Sequence, residues 1–221
     1  MSFTCYNYVG EFMRQRNVKN KKSIINNSRY IILNPEENKG KWHEVFENDN
    51  PIFIEIGMGK GDFILENAKK YPNNNYIGIE KYDSIIALAI KKIEKEELSN
   101  LKLIRMDALN IDNVFAKEVE KIFLNFSDPW PKPRHAKRRL SSENFLDKYD
   151  LIFKNNCLIE MKTDNQALFE YSLVSFNSHG YKIKEISLDL HHGNIENNIM
   201  TEYERKFSAM NNQIYYVKIV K

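Results

Sequence analysis

Short apolar runs alternate with helical patterns along most of the chain. Runs of strand length stand at residues 52–56, 76–79, 101–106, 122–126 and 157–161. The wider apolar spacing of helices appears at residues 63–71, 85–93, 145–153 and 167–176, with a short helix near Val114. This alternation predicts an α/β fold with a mainly parallel sheet and helices on both faces.

The pattern changes after Gly180. Residues 181–188 and 214–220 predict two closing strands, one of them antiparallel, with a helix at residues 203–210 between them. The expected sheet therefore has seven strands. Ligands of such sheets bind beyond the carboxyl ends of the strands, near the point where the strand order reverses.

Residues 1–50 show weaker periodicity, and we expect an N-terminal basic extension ahead of a domain at 51–221. Its basic run consists of Arg14, Arg16, Lys19, Lys21 and Lys22. One interpretation is a flexible arm without a role, and the other is an arm that contacts phosphates and orders on binding. Residues 42–47 predict a short helix before the domain.

A glycine-rich loop follows the first strand of the domain. Gly57, Gly59 and Gly61 alternate with other residues, which lets the backbone turn sharply and approach a ligand. A dinucleotide fingerprint needs its third glycine where this chain has Asp62, so a dehydrogenase is disfavoured. The G-x-G-x-G spacing instead resembles motif I of class I S-adenosylmethionine-dependent methyltransferases.

Acidic residues stand near three successive strand ends. Glu55 precedes the glycine loop, Glu80 ends the second strand and Asp107 follows the third. Enzymes of the class that the loop resembles use such acids at the methionine part, the ribose hydroxyls and the adenine amine of the cofactor. The alternative is that each is a surface acid or a helix cap.

The most distinctive segment is residues 123–140, FLNFSDPWPKPRHAKRRL. An apolar strand breaks at Asp128 into a proline-rich turn around Trp130, and five of the eight residues 132–139 are Lys or Arg. An acid at a strand end, an aromatic beside it and cations beyond suit a site that receives a polyanion. A solvated basic loop is the alternative.

Six motifs together resemble the bacterial tRNA (guanine-N(7)-)-methyltransferase family over residues 52–210. In order they are EIGMGKGDF, IGIEKY, RMDA, FSDPWPKPRHAKRRL, MKTDN and TEYERKF. The resemblance implies a Rossmann-like class I methyltransferase fold, S-adenosylmethionine as methyl donor, and tRNA as partner. The implied acceptor is N7 of the guanosine at position 46 in the variable loop. This chain varies at Met58 in the glycine loop and at Pro133, where the family often has lysine.

The same resemblance implies roles for particular residues. For the cofactor they are Glu55, Gly57, Gly59, Gly61, Glu80, Asp107 and Asp128. Because the purine gains positive charge during transfer to N7, we also predict that Asp128 and Asp164 are catalytic. For the substrate they are Lys132, Asp164, Thr201, Glu202, Tyr203 and Glu204. For the RNA they are Arg134, His135, Ala136, Lys137, Arg138 and Arg139. Either Asp164 or Glu204 could read the guanine edge.

Thr201, Glu204 and Lys162 also have interpretations that involve no substrate. Thr201 and Glu204 have the spacing of a helix capping box. Lys162, beside Asp164, could be a solvated charge.

Composition limits the remaining choices. The chain has 221 residues, 42% hydrophobic and 29% charged, which suits one domain with a modest extension. No apolar run approaches the ~20 residues of a membrane span, and we expect no secretory signal, no membrane association and a cytosolic location. The net charge of +3 does not by itself argue for nucleic-acid binding.

Cysteine and histidine give no sign of a metal site. Cys5 and Cys157 have no metal-binding spacing, and His191-His192 predicts a turn. We also expect no obligatory protein partner and either a monomer or a homodimer.

Two rival functions come from different classes. An amino-methyltransferase would place Asn or Asp, two prolines and an aromatic after the fourth strand, and Asp128-Pro129-Trp130 lacks the second proline. A non-catalytic RNA-binding subunit on the same fold would have a degraded cofactor loop, whereas here the glycines and acids are present.

Overall fold

The computed structural model describes residues 18–193 and 195–221. Within them, eight strands form one sheet. The strands are β1 Ile31–Ile32, β2 Ile52–Ile56, β3 Asn75–Glu80, β4 Leu101–Arg105, β5 Val119–Asn125, β6 Phe153–Thr163, β7 Lys182–Ser187 and β8 Tyr215–Val220. The sheet order is β1-β4-β3-β2-β5-β6-β8-β7.

The α-helices in the same described part of the chain lie mostly between consecutive strands. They are α1 Lys21–Asn26, α2 Trp42–Phe46, α3 Asp62–Lys70, α4 Asp83–Ile93, α5 Ile111–Val114, α6 Glu143–Ile152, α7 Gln166–Ser178 and α8 Glu202–Ser208. Three 3-10 helices among the described residues cover Pro35–Asn38, Ala108–Asn110 and Pro133–Arg138. None of the helices in the described residues combines the length and apolar character that crossing a bilayer requires.

The order of the strands in the sheet indicates where a ligand would bind. Neighbouring strands from β1 to β6 pair in parallel, and β8 pairs antiparallel with both β6 and β7. The strand order reverses between β2 and β5, so the crevice lies beyond the carboxyl ends of these two strands. The predicted mainly parallel α/β sheet and its one antiparallel strand are confirmed.

The predicted count of seven strands is wrong, because β1 adds an eighth. This strand has two residues, too few for a periodic pattern, and pairs Ile31 with Leu103 at the edge of the sheet. Two boundaries also differ from prediction. β6 begins at Phe153, which was assigned to the preceding helix, and Phe126 leaves β5 with a positive φ of 51°.

Two hydrophobic clusters pack on opposite faces of the sheet. One unites apolar residues of α2, α5, α6 and α7 with side chains such as Ile54 and Ile122. The other unites α1, α3 and α4 with side chains such as Leu103 and Phe123. The apolar faces of helices and strands thus cover each other, which leaves the carboxyl edge of the sheet for polar side chains.

Part of the N-terminal extension packs on the sheet. Trp42 is fully buried, its Nε1–H donates to the Val114 carbonyl at 3.0 Å, and its ring stacks on Phe115 at 5.3 Å. The backbone N–H groups of Gly40 and Trp42 donate to the two carboxylate oxygens of Glu118. The division at residue 51 stays a prediction, and Arg14, Arg16 and Cys5 lie outside the described residues.

We expect Trp42 to carry a large share of the stability. Trp42→Ala should lower the free energy of unfolding by about 3–5 kcal/mol through the lost packing. Trp42→Phe should cost about 1–3 kcal/mol, because the buried Val114 carbonyl loses its donor. Urea denaturation measures both. Val174→Ala, at a side chain 67% exposed, is the control and should stay within about 0.5 kcal/mol. A Trp42→Ala value equal to the control would mean that this segment is not part of the folded unit.

Candidate functional site

Acidic side chains meet at the carboxyl edge of the sheet. Glu55 lies near the end of β2, Glu80 ends β3, Asp107 follows β4, Asp128 follows β5 and Asp164 follows β6. All five strands are parallel, so their ends share one edge. The structure therefore brings together the acids that the sequence placed at strand ends.

The glycine loop shapes a cradle beside these acids. Gly57 and Gly59 have φ of 76° and 58°, a region that side-chain-bearing residues seldom adopt. A Cβ atom added at either glycine would meet no atom within 4 Å, so both face open space. The N–H groups of Gly57 and Met58 donate to the Ile79 carbonyl, which fixes the loop on β3.

Met58, a departure from the family pattern, points into the sheet. It is buried, and a Cβ atom placed on Gly78 of β3 would lie 2.3 Å from its sulfur. The methionine therefore occupies space that only a glycine at 78 leaves free. Its side chain does not enter the cradle between Gly57 and Gly59.

Glu55 is a buried carboxyl with one unsatisfied oxygen. Its Oε1 accepts a hydrogen bond from Asn125 Nδ2 at 2.9 Å, whereas no residue that the structure describes donates to Oε2. Burial raises the pKa of Glu55 to about 8, although the Asn125 hydrogen bond and the charge of Lys162 oppose the shift. A buried acceptor without a donor is costly, so this oxygen suits a cationic or N–H ligand.

Glu80 organises the backbone around the cradle. Its Oε2 accepts from the Gly59 N–H at 3.1 Å, and its Oε1 accepts from the N–H groups of Lys81 and Tyr82. Burial raises the pKa of Glu80, the three backbone donors oppose the shift, and the nearby charge of Asp128 adds to it. Oε2 keeps a lone pair for a further donor.

Asp107 lies at the rim of the cradle. Its Oδ1 caps the 3-10 helix by accepting from the Leu109 N–H at 3.0 Å, and its Oδ2 pairs with Lys81 Nζ at 2.6 Å. Burial acts to raise the pKa of Asp107, but the hydrogen bonds from Lys81 and Leu109 and the charge of Lys81 together outweigh it, and the pKa falls below its usual range. Asp107 is thus a helix cap, as the alternative interpretation expected, and its contact with the adenine amine stays a prediction.

The basic segment forms an exposed loop next to the acids. Trp130 packs edge-on against His135 at 5.8 Å and lies under the Arg138 guanidinium at 4.9 Å. The positive charge of Arg138 opposes the rise that Asp107 causes in the pKa of Lys81, so the basic segment lies near the Lys81–Asp107 pair. No carboxylate of the described residues pairs with the cations Lys132, Arg134, Lys137 and Arg138.

The end of the basic segment faces inward. The backbone N–H of Arg139 donates to the Ala136 carbonyl, and its guanidinium donates to the carbonyls of Pro129 and Trp130. Arg139 thus differs from the four cations that precede it.

Lys162 is buried and donates hydrogen bonds to three acceptors, so it is not a solvated charge. It is 5% exposed, and its Nζ donates to the Ile199 carbonyl at 2.8 Å, to Glu204 Oε2 at 3.0 Å and to Asn198 Oδ1. Burial lowers the pKa of Lys162, and the charge of Glu204 opposes that shift. The ammonium therefore joins the end of β6 to the segment that leads into α8.

Thr201 and Glu204 form the capping box that their spacing allows. The Glu204 N–H donates to Thr201 Oγ1 at 2.8 Å, and the Thr201 N–H donates to Glu204 Oε2 at 3.3 Å. Glu204 is fully buried and also contacts Asn198 at 2.6 Å and His191 at 3.4 Å. Its carboxylate is occupied by partners within the fold.

Tyr203 connects α8 to Asp164. Its hydroxyl donates to Asp164 Oδ2 at 3.0 Å, and its ring lies 4.8 Å from Phe126 and 4.0 Å from Phe207. Asp164 is half-buried, and no hydrogen bond from the described residues reaches its Oδ1.

Salt bridges tie α8 to the glycine loop. Glu202 pairs with Lys60 at 3.0 Å and with Lys206 at 2.6 Å, and Arg205 pairs with Asp62 at 3.4 Å. Burial acts to raise the pKa of Glu202, but Lys206 and Lys60 outweigh it and the pKa falls. The helix thus links the glycine loop to Asp164 at the end of β6.

Sequence reasoning missed several residues of this network. Asn125, Asn198 and Lys60 act on site residues that lie far away along the chain, and a single sequence carries no signal for such pairs. His191, in the turn predicted at His191-His192, contacts Glu204. Among the described residues, no three His, Cys, Asp or Glu side chains gather as metal ligands.

Comparison with known proteins agrees with this geometry. A family profile described as "Putative methyltransferase" matches residues 49–217. The tRNA (guanine-N(7)-)-methyltransferase of Geobacillus sp. (strain WCH70) is 53% identical over 200 residues, covering 90% of this chain and 91% of that protein. That of Bacillus subtilis (strain 168) is 50% identical over 197 residues, covering 89% and 92%.

The chain belongs to the tRNA (guanine-N(7)-)-methyltransferase family. Solved structures of other methyltransferases have a fold similar to that of this tRNA (guanine-N(7)-)-methyltransferase family member. An antibiotic-related methyltransferase has a TM-score of 0.60 at 19% identity, covering 82% of this chain and 92% of its own. An aminoglycoside resistance methyltransferase has a TM-score of 0.60 at 17% identity, covering 86% and 94%. The predicted Rossmann-like methyltransferase fold is confirmed.

The methyl donor of the tRNA (guanine-N(7)-)-methyltransferases is S-adenosylmethionine. The residues present fit this cofactor. The cradle has open space above Gly57 and Gly59, and the unsatisfied Oε2 of Glu55 lies buried near it. The degraded loop that a non-catalytic subunit would have is therefore not found, and the amino-methyltransferase alternative is not favoured.

The Lys162–Glu204 pair gives a stability prediction. Lys162→Met should lower the free energy of unfolding by about 3–5 kcal/mol, because it leaves the Glu204 charge buried without its cation. The double variant Lys162→Met/Glu204→Gln should recover part of this loss. Denaturant titrations measure both.

The matched control is Lys60→Met, which breaks a pair whose side chains are 37% and 32% exposed. This substitution should cost about 0–1 kcal/mol. Equal losses for Lys60→Met and Lys162→Met would contradict a special role for the buried pair.

Proposed function

We propose that the protein transfers a methyl group from S-adenosylmethionine to N7 of the guanosine at position 46 in the variable loop of tRNA. Family membership supports this proposal. The observation that carries it is Asp164, whose Oδ2 is held by Tyr203 while its Oδ1 is open, at the edge that also holds the cofactor cradle.

Three acids would each bind a different part of S-adenosylmethionine. Glu55 would pair through Oε2 with the cationic amino group, which is the donor that this buried oxygen lacks. Glu80 would accept a ribose hydroxyl through the remaining lone pair of Oε2, and Asp107 would accept the adenine amine. The Lys81–Asp107 pair would shift to make room for this contact.

Asp164 is the better candidate for reading the guanine edge. Guanine presents N1–H and an exocyclic amine side by side, and a carboxylate accepts both. Glu204 is fully buried and bound to Lys162, Asn198 and Thr201, so it would have to break those contacts first. We therefore assign the reading to Asp164 and the placement of α8 to Glu204.

Thr201, Glu202 and Tyr203 then support the reader. Thr201 caps α8, Glu202 binds Lys60 of the glycine loop, and Tyr203 orients Asp164. Lys132, at the start of the basic segment, would contact the substrate nucleotide or its phosphate.

The chemistry needs placement more than proton transfer. Guanine N7 has an unshared pair and no proton, so no side chain has to act as a general base. S-adenosylmethionine supplies the methyl group from a sulfonium when it is bound. Asp128 and Asp164 would stabilise the positive charge that the purine gains. Alignment by the surrounding side chains can contribute ~7–11 kcal/mol toward lowering the barrier.

The exposed cations would bind the RNA backbone. Arg134, Lys137 and Arg138 project from a 3-10 helix next to the crevice, with His135 packed on Trp130. Phosphate contacts make affinity fall with salt. We propose no obligatory protein partner, and we propose the cytoplasm as the location.

A tRNA with 7-deazaguanine at the target position tests the acceptor atom. It should bind the protein with unchanged affinity and accept no methyl group, because carbon replaces the nucleophilic nitrogen. Labelled methyl transfer followed by nucleoside mapping measures this. Methylation of the deaza tRNA at the rate of the normal tRNA would exclude N7 as the acceptor.

The matched variants for this test are Asp164→Asn and Glu202→Gln. Asp164→Asn should keep cofactor affinity and lose about ten- to hundredfold in turnover, because the amide presents a donor to the guanine donor edge. Glu202→Gln, whose carboxylate pairs with two lysines within the fold, should lose much less. Equal losses in both variants would count against Asp164 as the reader.

Glu55 predicts a pH dependence of cofactor binding. Its pKa is raised from the usual 4.5 to about 8, so between these values the folded protein holds a proton that the unfolded chain lacks. Stability from this group is therefore present below pH 4.5 and decreases as pH rises to about 8. Cofactor affinity should change in the opposite direction, because the amino group requires the carboxylate form.

Calorimetry at pH 7 in two buffers of different ionisation enthalpy should show release of about one proton on binding S-adenosylmethionine. In Glu55→Gln the proton release should disappear and the affinity should fall. Lys162, Glu80 and Asp62 also act on Glu55, so Asp62→Asn serves as the control that keeps the release. Undiminished proton release in Glu55→Gln would assign it to another group.

A further inference from the structure

The turn that carries Asp128 is held in an unusual backbone conformation. Phe126 and Trp130 both have positive φ, of 51° and 43°, on either side of Asp128. Residues with side chains disfavour this region, at a cost of order 1–3 kcal/mol each. Trp130 also precedes Pro131, which restricts its backbone further. Such a turn persists only where its surroundings stabilise it.

Arg139 supplies that support. Its Nε–H donates to the Pro129 carbonyl at 2.9 Å, and its Nη2–H donates to the Trp130 carbonyl at 3.1 Å. These are the carbonyls of the left-handed residue and of the residue before it. One planar guanidinium therefore holds both peptide groups in the orientation that the left-handed turn gives them.

The other side of this guanidinium rests on a fixed support. Its carbon lies 4.2 Å from the ring centre of Tyr171 in α7, a helix whose Leu168, Phe169 and Phe176 are buried in the core. Ser141, which follows the basic segment closely, bonds to Ser172 and Ser175 of the same helix. The turn at Asp128 is thus anchored to the core through α7.

Arg139 differs in this respect from the neighbouring cations. Lys132, Arg134, Lys137 and Arg138 are exposed, and Arg138 lies over the outer ring of Trp130. Arg139 is half-buried with its donors directed at backbone oxygens. A phosphate contact would compete with these bonds, although the basic run alone suggests that all five side chains do the same work.

We propose that Arg139 is a positioning residue for methyl transfer and not a phosphate contact: with Tyr171 it clamps the Trp130 turn so that Asp128 stays at the cofactor site. The inference rests on the proposed function for its effect on turnover. Its structural part, the clamp, is independent of the substrate.

The decisive variant is Arg139→Lys, which keeps the charge and loses the planar fork. Turnover on tRNA should fall about ten- to hundredfold, as expected for two lost hydrogen bonds to the turn. The slope of log affinity for tRNA against log salt should not change. Tyr171→Phe keeps the ring and should behave as the parent, and Tyr171→Leu should reproduce part of the Arg139→Lys loss.

Arg139→Ala separates the two roles directly. A phosphate contact would make the salt slope decrease by about 0.7–0.9 in this variant, whereas a clamp leaves the slope unchanged. Arg138→Ala, at an exposed cation of the same loop, is the matched control and should reduce the slope. A reduced slope in Arg139→Ala, together with full turnover in Arg139→Lys, would overturn the proposal.

Tryptophan fluorescence reports the turn without any substrate. The chain has two tryptophans, and Trp42 is fully buried, so quenching by acrylamide reports mainly on Trp130. The quenching constant should rise in Arg139→Lys and Tyr171→Leu, with the urea midpoint close to that of the parent. Unchanged quenching in both variants would overturn the clamp. Failure of the parent to methylate tRNA would instead refute the proposed function.

Discussion

The ammonium of Lys162 and the carboxylate of Glu204 meet inside the protein, with side chains 6% and 0% exposed. Taking both charges out of water is unfavourable, and their attraction compensates only because further hydrogen bonds complete each group. Asn198, Ile199 and Thr201 supply those bonds. The segment before α8 is therefore held against the end of β6, and the other features of the substrate side depend on this placement.

The same pair links the two halves of the crevice. Because Glu204 fixes α8, Tyr203 of that helix reaches Asp164, and Glu202 reaches Lys60 in the glycine loop. The Lys162 charge also acts on Glu55, the buried acid of the cofactor side. A cation within the fold thus partly stabilises a carboxylate whose second oxygen lacks a donor. The site therefore contains a buried ion pair, Lys162–Glu204, with its hydrogen bonds made, and a buried carboxyl, Glu55, with one oxygen that receives no hydrogen bond from the described residues.

Much of this architecture is predictable from sequence because it follows from repeated local patterns. Apolar runs and helical spacing predict β2 to β8 and the long helices. The acids at the strand ends lie at one edge of the sheet because the strands that carry them are parallel. β1 escaped prediction because two residues carry no period. The start of β6 at Phe153 was missed because its pairing with Val119 of β5 depends on tertiary contact.

The finer division of work within the site was not predictable. A lysine at a strand end looks the same in sequence whether it is solvated or, as Lys162 is, buried on three acceptors. Likewise Arg138 and Arg139 are adjacent and chemically identical, yet one faces outward over Trp130 and the other binds the backbone of the turn. Such differences depend on the partners that the fold brings close, such as Tyr171.

The contact between Met58 of the glycine loop and Gly78 of β3 couples two positions in evolution as well as in space. A Cβ atom at 78 would lie 2.3 Å from the Met58 sulfur and 3.1 Å from Leu103 Cδ2, so substitution at Gly78 requires both side chains to move or to be replaced. The converse does not hold, because shortening Met58 leaves a cavity that the fold can tolerate at some loss of stability. Among descendants of this sequence, Met58 should therefore change more often than Gly78.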